Sequence, residues 1–449
     1  SNGKTINWVQ VDAGEPEPRG IVCGAHNFAV GDKVVVSLPG AVLPGPFPIS
    51  SRKTYGHVSD GMIASARELG LGDEHDGILL LKSLGLDPEL GTDAIALLGL
   101  DDFAVEVNVT PDRGYAFSIR GIAREYANST GATFTDPASL VEVASTAPTG
   151  YPFTITDTSP VRGTPGVSVF TARIVRGIDP TRPTPPWMAS RLRLAGIRSI
   201  SLVVDISNYV MLELGQPNHT YDLATLDGGI VIRRAGEGEK LETLDGVTRN
   251  LDVSDLVVAD QSRAIGLAGV MGGAATEISD STTDVLVEAA IWDPVTIART
   301  VRRHKLPSEA AKRYERGVDP KMSRVAAERV VQLLVQLAGG TQDTQGISFD
   351  ESVPPAPILL PDEYAAKLIG VDYSADEITT SLEAIGATVA LGDGGWSVTP
   401  PTWRPDQVRE IPDLAPVVPH LQDIHEINGY VLNTAKLQSM VLGFLKKQG

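Results

Sequence analysis

Apolar residues in the first hundred positions fall in runs of four to six cut by Gly and Pro, as in GIVCGAHNFAVGDKVVVSLPGAVLPGPFPIS. Far downstream, RVAAERVVQLLVQLAGG puts Val330, Leu334 and Leu337 on one helical stripe. Short, punctuated runs build a small barrel, whereas a stripe at this spacing that stops at two glycines builds a helix. A chain of 449 residues is too long for one ordinary core and is expected to divide into about three units.

The barrel unit spans 1–98 and closes with a helix at DGMIASARELG, capped by Asp60 and ended by Gly70. In FAVEVNVTPDRGYAFSIRGIAREYANS the period switches: Phe103, Val105, Val107 and Val109 alternate as in a strand, and Ile119, Ile122, Ala123 and Tyr126 recur as on a helix. Residues 99–150 thus hold a strand, a turn and a helix, and lead into a connector at 137–165 rich in Pro, Ser and Thr. The segment 151–350 mixes strands (VSVFTARIV, GIVIRR, LVVAD, DVLVEAAIW) with helices (PPWMASRLRLAG and the stripe ending at Gly339), which makes one α+β domain.

SVPPAPILLP is a stiff linker. It leads to a third unit over 355–431, with two short helices, a core stripe of Ile378, Leu382 and Ile385, and the hairpin-like TVALGDGGWSVTPP. Residues 432–449 read as an amphipathic, slightly basic tail. The fold class is α+β multidomain.

No apolar run approaches the roughly 20 residues a membrane span needs. Cys23 is the single cysteine, so no intrachain disulfide can form and thiolate-rich zinc sites are excluded, which fits a reducing cytoplasm. The chain opens SNGKTINW without Met or a signal-peptide pattern and reads as a trimmed sequence. A formal charge of −18 argues against wholesale coating of a polyanion, so any RNA contact is local. The local candidate is ARTVRRHKLPSEAAKRYER, where Arg299, Arg302, Arg303, Lys305, Lys312, Arg313 and Arg316 meet only Glu309 and Glu315; a solvated helical face is the competing reading.

Taken residue by residue, the candidates for chemistry stay open. His219, in GQPNHTYD, can be a catalyst, a metal ligand or a core residue, and no His, Asp or Glu at i, i+4 supports the metal. Glu288, in LVEAA, is a carboxylate in an apolar strand, expensive to bury without a partner; either an Arg pairs with it or it serves a site. Gly272 and Gly273 permit a tight turn or a close backbone approach. Ser207 and Asn208, in DISNYV, are turn formers or site residues. No Ser, His and Asp triad with elbow glycines is visible and Cys23 has no motif partner, which disfavours covalent catalysis.

Five segments in order resemble one family: IVCGAHNFAVGDKVVVSLPGAVLPG with SDGMIASARELGL, VTPDRGYAFSIRGIARE, GIRSISLVVDISNYVMLELGQPNHTYD, GVMGGAATEISDSTTDVLVEAAIWDP, and RRHKLPSEAAKRYERGVDP. The family is the bacterial β subunit of phenylalanyl-tRNA synthetase. The resemblance implies a tRNA-binding domain of oligonucleotide-binding (OB) barrel type, an editing domain and a small helical domain similar to DNA-binding folds. It also implies that the large C-terminal part and the first piece of the N-terminal domain are missing.

Editing has its own physical logic. An apolar pocket rejects an added hydroxyl by only ~100-fold, so a phenylalanine site mistakes tyrosine, and a second, hydrolytic site must offer partners that only tyrosine satisfies. In the motifs, the resemblance gives Glu288 the tyrosine hydroxyl, Gly272 the amino-acid pocket, and Ser207 and Asn208 the ester and the attacking water. It gives Ser308, Ala310 and Arg198 to the substrate, and makes His219 a positioner of water or substrate. PNHTYD departs from the commoner PMHAFD but keeps the His and Asp. The reaction implied is attack of a positioned water on the ester joining tyrosine to the terminal ribose.

The family's magnesium site, held by a Trp-Arg-x-Asp segment and a following Asp-Leu-Val-Glu-Glu, is kept only as WRPD with Asp406 and a shifted Asp413, a weak set for a hard cation. Amino-acid activation would lie on a separate α chain, since no class II catalytic motif or phosphate-cradling loop appears. The implied whole is an α2β2 tetramer using ATP, phenylalanine, magnesium and tRNA(Phe). The competing classes are a tRNA-binding module without hydrolysis and a free-standing trans-editing hydrolase.

Overall fold

The computed structural model describes residues 5–406 apart from 146, 158 and 162. The tail 432–449, Asp413 and the rest of the chain from 407 lie outside the described residues.

In the N-terminal unit, β1 (Asn7–Val11) pairs antiparallel with β2 (Arg19–Cys23), and the remaining strands, two or three residues each, form three further two-stranded ladders. Two small cores fill it, one around Ile21, Cys23, Ile63 and Ile78, the other around Leu43, Ile49, Ala64, Leu81 and Leu98. The helix expected over 60–70 does not form: Met62–Ile63 is a short strand followed by turns. Gly61, where that helix would begin, takes φ 126, which no helical turn has, and the Asp60 carboxylate accepts from Arg19 and Ser51 instead of capping.

The strand expected at 103–109 is an extended segment without a ladder partner among the described residues, and Phe103, Val105 and Val107 are exposed. The helix after it forms as expected: α1 (Ile119–Thr130) is capped by the Ser118 hydroxyl and ended by Gly131 in the left-handed region.

The central unit has three layers. One five-stranded sheet has the order β3 (Phe153–Thr156), β6 (Ile230–Arg234), β7 (Leu256–Ala259), β8 (Ala264–Leu267), β9 (Met271–Gly272). The other places β10 (Val285–Trp292) between β5 (Asn218–Asp222) at one edge and β4 (Val167–Arg176), followed by β11 (Thr341–Asp350) and the two-residue strand Thr149–Gly150. The sheets enclose a core that includes Phe170, Ile174, Tyr221, Ile232, Ile265, Leu286 and Trp292. Alternate residues of β10, Val285 and Val287, turn outward under α2 (Pro186–Leu194), α3 (Leu202–Leu214) and α4 (Met322–Leu333). The connector expected over 137–165 therefore contributes strands, because Phe153 and Ile155 have apolar neighbours to join. The 330–337 stripe is helical as read, with Val330 and Leu334 fully buried.

The third unit is a three-stranded sheet, β12 (Ile358–Pro361), β14 (Gly395–Thr399), β13 (Thr388–Gly392), with the helices Tyr364–Ile369 and Ala375–Ala384. It is thus α+β and not helical, and the end of the expected linker supplies a strand. Among the described residues no helix is long and apolar enough to cross a membrane.

Candidate functional site between two sheet edges

The turn before β5 fixes the site. Gly215 ends α3 at φ 83, against Ser118, where a side chain would crowd. Gln216, fully buried, then staples the chain: its Nε2 donates to Ala290 O of β10 (3.0 Å) and Pro217 O (2.8 Å), while its Oε1 accepts from Ser323 (3.3 Å). From there β5 runs antiparallel to β10 with His219 opposite Glu288 and Tyr221 opposite Leu286.

Because strand residues two apart share a face, His219, Tyr221 and Glu288 all point into the space between the sheets. The rings of His219 and Tyr221 meet edge to face, with centroids 4.4 Å apart. The Tyr221 hydroxyl donates to Glu288 Oε2. From the opposite sheet, edge strand β9 brings Gly272 against the imidazole: a Cβ there would lie 2.4 Å from His219 Cε1. Gly272 is needed for this close approach, as one of the two sequence readings required. The backbone beside it is already engaged, since Gly272 O accepts from Leu244 N (3.1 Å) and Gly273 N donates to Ile265 O (2.7 Å).

Glu288 is 6% exposed, and among the described residues its only polar partner is the Tyr221 phenol. The Arg expected of a structural carboxylate is absent among the described residues. The other buried glutamate, Glu328, pairs with Arg173, and buried Asp255 and Asp319 each face an arginine, while buried Asp205, Asp222, Asp260 and Asp293 each accept from two or more hydroxyl or backbone N–H donors. Burial pushes the Glu288 carboxyl up to about 7, against the lowering effect of the Tyr221 hydrogen bond. Burial also brings His219 down to about 4, so the imidazole is neutral at pH 7, with Nε2 buried and without a hydrogen-bond partner among the described residues. Tyr314, whose hydroxyl reaches Ala290 O (2.9 Å) and Pro217 O (3.2 Å), has its phenol raised well above the usual range by burial first and by the charge of nearby Glu288 second.

The remaining candidates sort by what they touch. Ser207 Oγ donates to Asn218 O (3.2 Å) and Asn218 Nδ2 returns a bond to Ser207 O (3.1 Å), tying α3 to the strand that carries His219. Asn208 is half-buried on the same helix and Arg198 is exposed in the loop before it; among the described residues no hydrogen bond joins either to Glu288 or His219. The Ser308 hydroxyl donates to Val270 O (2.8 Å) and caps the helix Glu309–Tyr314, while Ala310 packs on the inter-sheet core. Asp222 caps the next turn and accepts from Thr282 (2.6 Å). The sequence reading missed Tyr221 as a site residue, although its place two residues from His219 on a strand was the signal for a shared face.

The metal candidates do not fit a cation. Both oxygens of Asp406 accept from Arg404 (2.7 to 3.1 Å), Asp413 lies outside the described residues, and among the described residues no group of three His, Cys, Asp or Glu could hold a metal ion. The basic run is also largely engaged: Arg303 pairs with Asp255, Arg313 donates to Phe117 O, and Arg316 donates to Val109 O and lies over the Phe117 ring. Arg299, Arg302 and Lys305 remain exposed, with Arg299 lining a cavity of about 290 Å³ beside Arg234 and Ser254.

Three family models match the chain: a putative tRNA binding domain over residues 1–84, a B3/4 domain over 166–339, which contains the site described above, and a tRNA synthetase B5 domain over 358–415. The phenylalanine–tRNA ligase beta subunit of Leifsonia xyli is 63% identical over 429 residues, covering 92% of this chain and 50% of that protein. The beta subunits of Thermobifida fusca and Bifidobacterium longum are 51% and 48% identical, each covering 90% of this chain and 48% and 50% of theirs. The chain spans about half the length of the curated relatives it matches. An N-terminal fragment of the phenylalanyl-tRNA synthetase beta-subunit from Pyrococcus horikoshii aligns over 76% of this chain and 97% of that fragment, at 12% identity and a TM-score of 0.33, too low to define a common fold.

Proposed function

Because the chain belongs to the phenylalanine–tRNA ligase β-subunit family and corresponds to the N-terminal half of its members, we propose that it is the proofreading part of such a subunit: it binds aminoacylated tRNA(Phe) and hydrolyses tyrosine attached in error. One observation carries this reading: Glu288 is a buried carboxylate with no cation beside it among the described residues, directly opposite His219 on the neighbouring strand, and the His219 ring in turn packs on Gly272. Keeping a carboxylate in such a place costs stability, and a site that must tell tyrosine from phenylalanine gives a reason to keep it.

Glu288 Oε1, which has no hydrogen-bond partner among the described residues, accepts the hydroxyl of a bound tyrosine. Phenylalanine in the same place leaves the carboxylate unpaired, and that asymmetry is worth far more than shape alone. His219 is too weak a base to remove a proton from water efficiently, its imidazole having been brought down to about 4. Its neutral Nε2 instead orients the water or the ester carbonyl for attack. Water adds to the carbonyl carbon, the ester C–O bond breaks, and the ribose oxygen leaves with a proton, giving tyrosine and tRNA. Ser207 holds β5 in register, and Asn208, Arg198, Gly272, Ser308 and Ala310 border the substrate.

Residues 1–84 serve as the tRNA-binding, OB-type unit in this reading, and the match to a putative tRNA binding domain supports it. Phenylalanine activation with ATP and magnesium lies on the α chain of an α2β2 tetramer in the cytoplasm; the carboxylates described here do not supply that magnesium site. The test is Glu288→Ala in the full-length α/β enzyme. Hydrolysis of tyrosyl-tRNA(Phe) is expected to fall by about 100-fold or more, and an unchanged rate would end the assignment.

A further inference from the structure

We propose that Tyr221 is a positioning residue for tyrosine discrimination: its hydroxyl holds Glu288 Oε2 and leaves Oε1 as the acceptor for the hydroxyl of the substrate. The inference rests on the proofreading role of Glu288 proposed above and adds the group that sets that carboxylate.

The geometry allows Tyr221 little else. It is 2% exposed, its ring is braced edge to face against His219, and among the described residues its hydroxyl is the only polar group bonded to Glu288. Tyr314 cannot take over, since its hydroxyl is engaged with Pro217 O and Ala290 O. The titratable groups facing Glu288 are His219 and Tyr221 from β5 and Tyr314 from the helix Glu309–Tyr314. Strand β4 presents Ala172 opposite Glu288, and β9 closes the site with Gly272. With no cation in this set, Tyr221 alone favours the ionised carboxylate, which is the stronger acceptor for a phenol. A tyrosine at 221 thus places a fixed internal phenol on one carboxylate oxygen and leaves the other to accept from a second phenol.

Tyr221→Phe removes one oxygen and keeps the ring. In the full-length α/β enzyme it is expected to lower the ratio of tyrosyl- to phenylalanyl-tRNA hydrolysis by about tenfold, the size of one charge-assisted hydrogen bond. It should also move the half-maximal pH for tyrosyl-tRNA hydrolysis upward. In a Glu288→Gln background, where nothing titrates at that position, the same substitution should produce no pH shift, which separates local positioning from general damage. Wild-type selectivity and pH profile in Y221F, or faster tyrosyl hydrolysis showing that the phenol competes with substrate, would overturn the proposal. If Glu288→Ala leaves tyrosyl hydrolysis intact, the proofreading reading itself fails, an outcome distinct from failure of Tyr221 alone.

Discussion

At the scale of single residues, Glu288 and His219 are buried with opposite consequences. The Glu288 carboxyl is raised from 4.5 to about 7, so between those values the folded protein binds the proton more readily than the unfolded chain. Its contribution is present at low pH and is lost as pH rises through 7. His219 is lowered from 6.5 to about 4; its contribution is present above 6.5 and is lost as pH falls through 4. Glu288→Gln should therefore be more stable relative to wild type at pH 8 than at pH 5, by up to about 3 kcal/mol. His219→Gln should show its relative gain at pH 4 and none at pH 8. Thermal melts across that range check both, and a Glu288→Gln difference independent of pH would contradict the burial of an ionisable carboxyl there.

At the scale of elements, the site exists because two edge strands face one another. Gly272→Ala would put a Cβ 2.4 Å from the His219 ring, and the imidazole or β9 must shift. The expected outcome is a loss of about 1–3 kcal/mol in melting or denaturant titrations, together with a loss of tyrosyl-tRNA hydrolysis. Intact hydrolysis would show that the packing of Gly272 on His219 is incidental. The sequence made this architecture legible where period and punctuation agreed: β4, β6, β7, β10 and the helix after Met322 all lie where alternation or a stripe placed them. It misled at 60–70, where Gly61 at φ 126 overrides a plausible cap, and at 103–109, where alternation is present but no partner strand lies alongside among the described residues. Glu288 was visible as an anomaly in its own strand. That it lacks an arginine, and that Tyr221 stands in for one, depends on contacts between strands 67 positions apart, which no local pattern records.

At the scale of the whole molecule, the units are joined by buried charge as well as by packing. Arg120 of α1 bonds both oxygens of Asp136 at 2.7 Å and reaches Asp319 of the central unit at 3.4 Å; Asp319 also accepts from Thr402 (2.7 Å) of the third unit. Trp403 lies under the Arg124 guanidinium at 4.0 Å. Arg120→Ala leaves Asp319 with less compensation and should cost about 3 kcal/mol, read as an earlier melting transition; an unchanged transition would mean that the joint contributes little. The protein carries a formal net charge of −18. Much of its basic run is spent on internal partners, leaving Arg299, Arg302 and Lys305 as an exposed local patch.

The most direct test of the central claim is the relative rate at which the full-length α/β enzyme deacylates tRNA(Phe) carrying tyrosine and tRNA(Phe) carrying phenylalanine. If Glu288 reads the substrate hydroxyl, the tyrosyl ester is hydrolysed at least about 100-fold faster than the phenylalanyl ester. Equal rates for the two esters, or hydrolysis of neither, would contradict it.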